Sequence, residues 1–230
     1  MSVMNKLFRL IQFTDSTFPV GTFSFSNGLE TAAHLGVVHD AQSLKEYARS
    51  AASQASQCDA VAALMAWRGA RDNAYDRIIQ ADRDFILFKM NAEARLMLKR
   101  MGKKFAELAV RLYGQDSLFG RWLDDIDADN TPGTYPVAQG IAFALEGLDE
   151  RQLYVSHQYA VINMILSAAL RCVRVSHYDT QKILFELSQE IEQEYEKAAH
   201  AGFENMNSFV PEMDIFASLH EKGTMRMFMN

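Results

Sequence analysis

The chain has 230 residues, 49% apolar and 23% charged, with 23 Lys and Arg against 29 Asp and Glu and a net charge of −6 at pH 7. That length and apolar content suit one folded domain over residues 1–230 and exclude a disordered or collagen-like chain. The negative balance excludes a non-specific nucleic-acid binder, which needs a concentrated positive surface. Only Cys58 and Cys172 are present, with no CxxC, so no disulfide framework is encoded and a reducing, cytoplasmic setting is expected.

Residues 1–13 are broken by Lys6, Arg9 and Gln12 at helical spacing, which is not the apolar run of a secretory signal. Residues 15–30 follow as a loop with Pro19, Gly21 and Gly28 among alternating aromatics, expected to display Phe23 and Phe25. It opens a helix at Asn27 with Glu30 three residues on, an expected N-cap. Ser43 with Glu46 is a second cap pattern. Leu44, Tyr47, Ala51, Ala55, Cys58, Ala62 and Met65 then form a one-sided helical stripe, rich enough in Ala for a neighbouring helix to approach closely. Ala94, Leu98, Met101, Phe105, Leu108 and Leu112 form another.

Residues 124–134, with Asp124, Asp125, Asp127 and Asp129, read as a solvated acidic linker ending in a proline-glycine turn. Residues 152–170 carry no charge, close to the roughly 20 residues of a membrane-spanning helix. Gln152, Ser156, His157, Gln158, Asn163 and Ser167 would be costly in lipid, so a central buried helix and no membrane association are expected. Ser176 with Asp179 caps a further helix. Ala, Leu and Met (29, 21 and 12 residues) outnumber Val, Ile and Thr (12, 11 and 8), and no strand alternation persists. The fold class is all-α, a single-domain bundle of about eight to ten helices.

Absent motifs narrow the function. Gly102-Lys103-Lys104 lacks the first P-loop glycine, since position 97 is Met97, and Lys104 stands where a hydroxyl residue is required. Neither Ser24 nor Ser26 is flanked by the glycines of a nucleophile elbow. None of the six histidines pairs with His or Cys at helical metal-ligand spacing, and His220-Glu221 reads as a polar turn. A helical hydrolase would need Ser24 or Ser26 as nucleophile and His34 or His39 as base. The segment at 220–230 holds Arg226 among Met225, Met227, Phe228 and Met229, the composition of a tail that docks.

Residues 15–30 together with 220–230 strongly resemble the urease accessory protein UreF family, with its D/S-x-x-x-P-x-G-x-Y/F-x-x-S-x-G-L-E stretch and C-terminal H-E-…-R-L/M-F segment. Glu93-Ala-Arg95 with Met101-Gly102, Tyr135-Pro136-Val137-Ala138-x-Gly140 and Asp179-Thr-Gln181 match family elements in order. The chain departs from the pattern at Phe23, where Tyr is usual, and at Thr180, where Gly is common.

The resemblance implies a non-catalytic all-α homodimer, not an enzyme, acting in nickel delivery to urease. It would bind UreD (also called UreH), recruit the nickel-carrying GTPase UreG, and dock with it on apo-urease. Phe23 and Arg226 would brace the loop that receives UreG, and the tail with Phe228 would order when UreD/UreH binds. Arg171 and Glu30 are expected on or near the GTPase face. No cofactor is expected to be held tightly, and nickel is handled by the complex in transit. A helical regulator of another GTPase would use the same surfaces.

Overall fold

The computed structural model describes residues 2–21, 25–221 and 227–228. Among these the secondary structure is entirely helical: α1 (Val3–Thr14), α2 (Leu29–His34), α3 (Ala41–Gln57), α4 (Asp59–Arg71), α5 (Tyr75–Leu87), α6 (Ala92–Tyr113), α7 (Leu118–Asp127), α8 (Tyr135–Leu145), α9 (Glu150–Cys172), α10 (His177–Leu187), α11 (Ile191–Ala199) and α12 (Pro211–Glu221). Cys58 alone separates α3 from α4, and α10 runs into α11 through one 3-10 turn at Ser188–Glu190. The stripe from Leu44 to Met65 therefore spans two helices, which break apart at Cys58.

The break lets α4 enter the centre of the bundle. Ala60, Ala62, Ala63 and Ala66 are fully buried, and α8 lies against them. A Cβ on Gly140 of α8 would stand 2.4 Å from the Ala63 carbonyl oxygen, so the closest approach is made at Ala63 and Ala66, beside the predicted stripe rather than on it, and glycine is what permits it. Around this pair Phe13, Phe85, Phe105, Phe119 and Trp122 fill the larger core. A second cluster, with Leu29, Leu44, Ile165, Leu166, Ile183 and Phe216, joins α2, α3, α10 and α12. Helix α9 walls both, with Leu153 and Tyr154 in the first and Ile162, Ile165 and Leu166 in the second. That double role explains its apolar length: it is long and apolar enough to cross a membrane, but packs inside the protein.

Local signals deviate in instructive ways. Asp40, not Ser43, caps α3: its carboxylate accepts from the Ser43 N–H while the Ser43 hydroxyl reaches back, a reciprocal box one turn earlier than expected. The Ser176–Asp179 box on α10 forms as expected. Residues 124–127 are the last turn of α7 rather than a solvated linker. The turn that follows is pinned from α5, where buried Asp82 accepts from Thr131 Oγ1 (2.7 Å), Gly133 N (2.8 Å), Thr134 N (2.8 Å) and Thr134 Oγ1 (2.6 Å). Gly102 permits the same turn to touch α6, since a Cβ there would fall 2.1 Å from the Gly133 carbonyl oxygen.

Candidate docking site

Helix α2 is entered by two consecutive left-handed residues, Asn27 (φ 54°) and Gly28 (φ 79°), so Asn27 does not serve as a side-chain cap. Tyr47 on α3 fixes this corner by donating its hydroxyl to the Asn27 carbonyl at 2.7 Å. Gly28 is needed twice: for its φ, and because a Cβ would sit 3.2 Å from backbone atoms of Met213 and Ala217 on α12. The corner therefore sets α2 directly under α12, and Glu30, in the first turn of α2, faces the C-terminal segment.

The carboxylate of Glu30 is the hub. Its Oε1 accepts the Met227 N–H at 2.8 Å, and its Oε2 accepts the Phe228 N–H at 3.2 Å. His220 Nε2 lies 2.9 Å from the same Oε2, while His220 Nδ1 lies 3.1 Å from Glu93 Oε2 at the start of α6. One buried imidazole thus bridges carboxylates from α2 and α6. Burial alone would raise the Glu30 carboxyl, but the hydrogen bonds from Met227, His220 and Phe228 prevail and hold it below the usual carboxylate range. The Phe228 ring is buried in the second core, and the Arg171 guanidinium at the end of α9 covers it with its Cζ 4.1 Å from the ring centroid.

Three of the five residues expected at the docking face, Glu30, Arg171 and Phe228, therefore meet in one cluster. Phe23 and Arg226 lie outside the described residues. Two expectations need correction. Phe25 is not displayed: it is 6% exposed and belongs to the larger core with Phe18 and Val20. His220 is not in a polar turn but on the buried face of α12, beside Met213, Phe216 and Ala217. The Phe228 ring lies in the second core beneath Arg171.

His220 and Glu93 were not singled out as site residues. The spacing of Met213, Phe216, Ala217 and His220 was the available signal for the histidine, since together they trace one helical face. Arg95, two residues past Glu93, donates to the Lys89 and Met90 carbonyls (2.6 and 2.8 Å) and ties the α5–α6 connection, so the Glu93–Arg95 element serves the site with one residue and the fold with the other.

Metal-binding capacity is limited by the same burial. The Cys58 thiol is pushed up to about 12 and the Cys172 thiol to about 11, each mainly by desolvation, so both are protonated at neutral pH. Among the described residues no group of three or more His, Cys, Asp or Glu side chains is placed to hold an ion.

A family model for UreF matches residues 38–188. Proteins called urease accessory protein UreF from Yersinia pestis (strain Pestoides F), Yersinia pseudotuberculosis (serotype IB, strain PB1/+) and Yersinia enterocolitica (serotype O:8) are each 44% identical to this chain, over 97% of its length and 98% of theirs. The chain belongs to the UreF family of urease accessory proteins. The region matched by the family model contains Glu93 and Arg171 but ends before α12 and begins after Glu30. Two members of the cluster, Glu93 and Arg171, thus sit in the shared helical body, and Glu30, His220 and Phe228 lie in the two flanking segments.

Proposed function

We propose that this member of the UreF family is a non-catalytic scaffold in urease maturation. With UreD/UreH it recruits the GTPase UreG to apo-urease for nickel insertion, in the cytoplasm and as a homodimer within the complex. The observation that carries this proposal is the Glu30 hub: one carboxylate holds the tail backbone at Met227 and Phe228 and, through His220, holds α12 against α2 and α6. A partner that grips the tail or α12 would necessarily act on α2 and on the loop that leads into it. That is the layout of a gated recruiter, in which binding on one face fixes another. Such coupling typically carries about 1–3 kcal/mol, or roughly 5–150-fold in the second partner's affinity.

Nickel is cargo in this scheme, with no step assigned to a tight site on this chain. Protonated thiols, one buried at Cys58 and one partly buried at Cys172, favour passage over retention, because strong thiolate ligands would trap the ion. The exposed side chains of Met4, Phe8 and Ile11 on α1 leave apolar surface for subunit contacts. Of the groups a helical hydrolase would need, Ser26 is fully buried while His34 and His39 are both exposed, and Ser24 lies outside the described residues.

The test is co-purification of the full chain with UreD/UreH and UreG, singly and together. Retention of UreG that depends on UreD/UreH is the expected result. Retention of neither partner would overturn the scaffold assignment, and capture of a different GTPase would replace UreG in it.

A further inference from the structure

A groove of about 810 Å³ opens on the side of the bundle where α6 faces the turn after α7. Its charge is opposite to that of the protein. Arg83, Lys99, Arg100, Lys103 and Lys104 line it against Glu107 and Asp129, in a chain whose net charge is −6. Lys99 with Lys103, and Arg100 with Lys104, are spaced four apart on α6, so their side chains project in two parallel rows.

The walls are built rather than incidental. Asp82 holds the 131–134 turn with four hydrogen bonds, and Arg83 donates twice to the Asn130 carbonyl, at 2.8 and 2.6 Å. Lys103 reaches across to Asp127 at 2.6 Å, and Lys104 pairs with Glu107 at 3.0 Å. Lys99 and Arg100 are exposed, and among the described residues neither has an ion pair. Between the charges the floor is apolar, formed by Val20, Phe25 and Ile126.

From this charge and shape we infer that the groove binds an acidic peptide segment of a partner protein, with carboxylates over Lys99 and Arg100 and an apolar side chain on the Val20–Phe25–Ile126 floor. A fixed cationic groove with an apolar base matches a strand or turn that alternates Asp or Glu with Leu or Val. Nucleic acid fits less well. Glu107 and Asp129 stand inside the groove and Asp127 at its edge, where a phosphate backbone would meet them, and Phe25 is buried in the floor rather than presented for base stacking. A second copy of this chain also fits less well, because its acid-rich helix α11 and the turn before it already pair within the chain: Glu190 with Arg49, Glu192 and Glu196 with Arg151, and Glu194 with Lys197. The assignment is independent of the identities of the maturation partners.

The test uses the full chain and a fluorescein-labelled peptide of alternating Glu, Asp and Leu, followed by anisotropy at 0.1 M salt. Lys99→Glu/Arg100→Glu should weaken binding by about 10-fold or more, through loss of two cations and gain of two repulsions. Lys182→Glu/Lys197→Glu, equal in charge change and on α10 and α11, which contribute no residue to the groove, should leave it unchanged. The neutral pair Lys99→Gln/Arg100→Gln should fall between, and circular dichroism should show all three variants folded. Replacing Leu by Ser in the peptide should weaken binding to the wild type, and a single-stranded oligonucleotide of equal charge should compete poorly. Absence of peptide binding, equal weakening by the remote pair, equal binding of the Ser peptide, or preference for the oligonucleotide would each overturn the assignment.

Discussion

Glu30→Gln keeps the shape of the hub and removes its charge. In the native cluster the carboxylate serves three groups: the Met227 N–H at 2.8 Å, the Phe228 N–H at 3.2 Å and His220 Nε2 at 2.9 Å. An amide offers one acceptor oxygen, so at least one of these loses its partner and those that remain lose charge assistance. Hydrogen bonds to charged groups contribute about 1.5–3 kcal/mol and neutral ones about 1 kcal/mol. One bond lost and one weakened come to about 3 kcal/mol, close to 100-fold in the equilibrium between seated and released tail. The Glu30 side chain is only 14% exposed, so solvent screening takes little from this figure. Amide hydrogen exchange followed by mass spectrometry reads it directly: exchange in the C-terminal peptide should accelerate by about 100-fold while peptides from α4 and α8 keep their protection. The linkage sign is that of a depressed carboxylate. The Glu30 carboxyl's own contribution is complete above its ordinary 4.5 and is lost as pH falls through the lowered value. Unchanged exchange at Met227 and Phe228 would refute the hub, and equal acceleration throughout α2 and α12 would show that Glu30 holds the helices rather than the tail.

Other consequences follow from the packing. His157 is buried with Nδ1 2.7 Å from Gln139 Oε1, and burial lowers it from 6.5 to about 4. The neutral imidazole therefore favours the fold fully above pH 6.5 and loses about 3 kcal/mol as pH falls to about 4, so the stability gap between wild type and His157→Gln, from urea midpoints, should narrow between pH 7 and 4.5; a constant gap would contradict the assignment. Gly140→Ala drives a Cβ to within 2.4 Å of the Ala63 carbonyl oxygen and 2.9 Å of the Trp67 nitrogen, both rigid backbone, and should cost about 3 kcal/mol in denaturant unfolding. Arg171→Ala removes the cation above Phe228 and should loosen the tail by about 1 kcal/mol, seen as faster C-terminal exchange with an unchanged helical spectrum.

The fold was legible because its signals are local. The Ala-rich stripe predicted close helix packing, and α4 makes it against α8 on the neighbouring face, through Ala63 and Ala66; the uncharged residues 152–170 predicted a central helix, and α9 is the wall of both cores. What was not legible depends on tertiary geometry. The break at Cys58 leaves no mark in the periodicity, since the apolar positions on both sides continue one stripe while the chain turns at φ −129°, ψ −71°. The docking cluster was legible only in part. Glu30, Arg171 and Phe228 came from family resemblance, but their meeting depends on His220, whose partners lie 190 and 127 residues away in sequence. No local pattern encodes a pairing at that distance. The cationic groove escaped for a related reason: an overall charge of −6 says nothing about where cations converge, and α6 supplies four of them on one side while its Phe105 and Met101 face the core.

The energy scale of the tail decides whether it can serve as the gate in the proposed scaffold. Its described seat rests on two backbone hydrogen bonds to an ionised acceptor, one cation–aromatic contact and one buried phenylalanine ring. Taken at about 3, 1 and 2 kcal/mol, these hold the tail by about 6 kcal/mol before the cost of ordering it. Fixing the backbone of Met227 and Phe228 alone offsets about 2–4 kcal/mol. The net for these two residues is then a few kcal/mol. Moving a two-state element from 1:99 to 99:1 requires about 5.5 kcal/mol of differential binding. A partner that prefers the released tail, or that replaces the Glu30 contacts with its own, can supply that from an interface of ordinary size. A hub of several neutral contacts would be too weak to hold the resting state. A buried ion pair lacking the flanking amides would be too costly to reopen. One carboxylate shared among two tail amides and an imidazole lies between these limits, where a partner's binding energy can reverse the equilibrium.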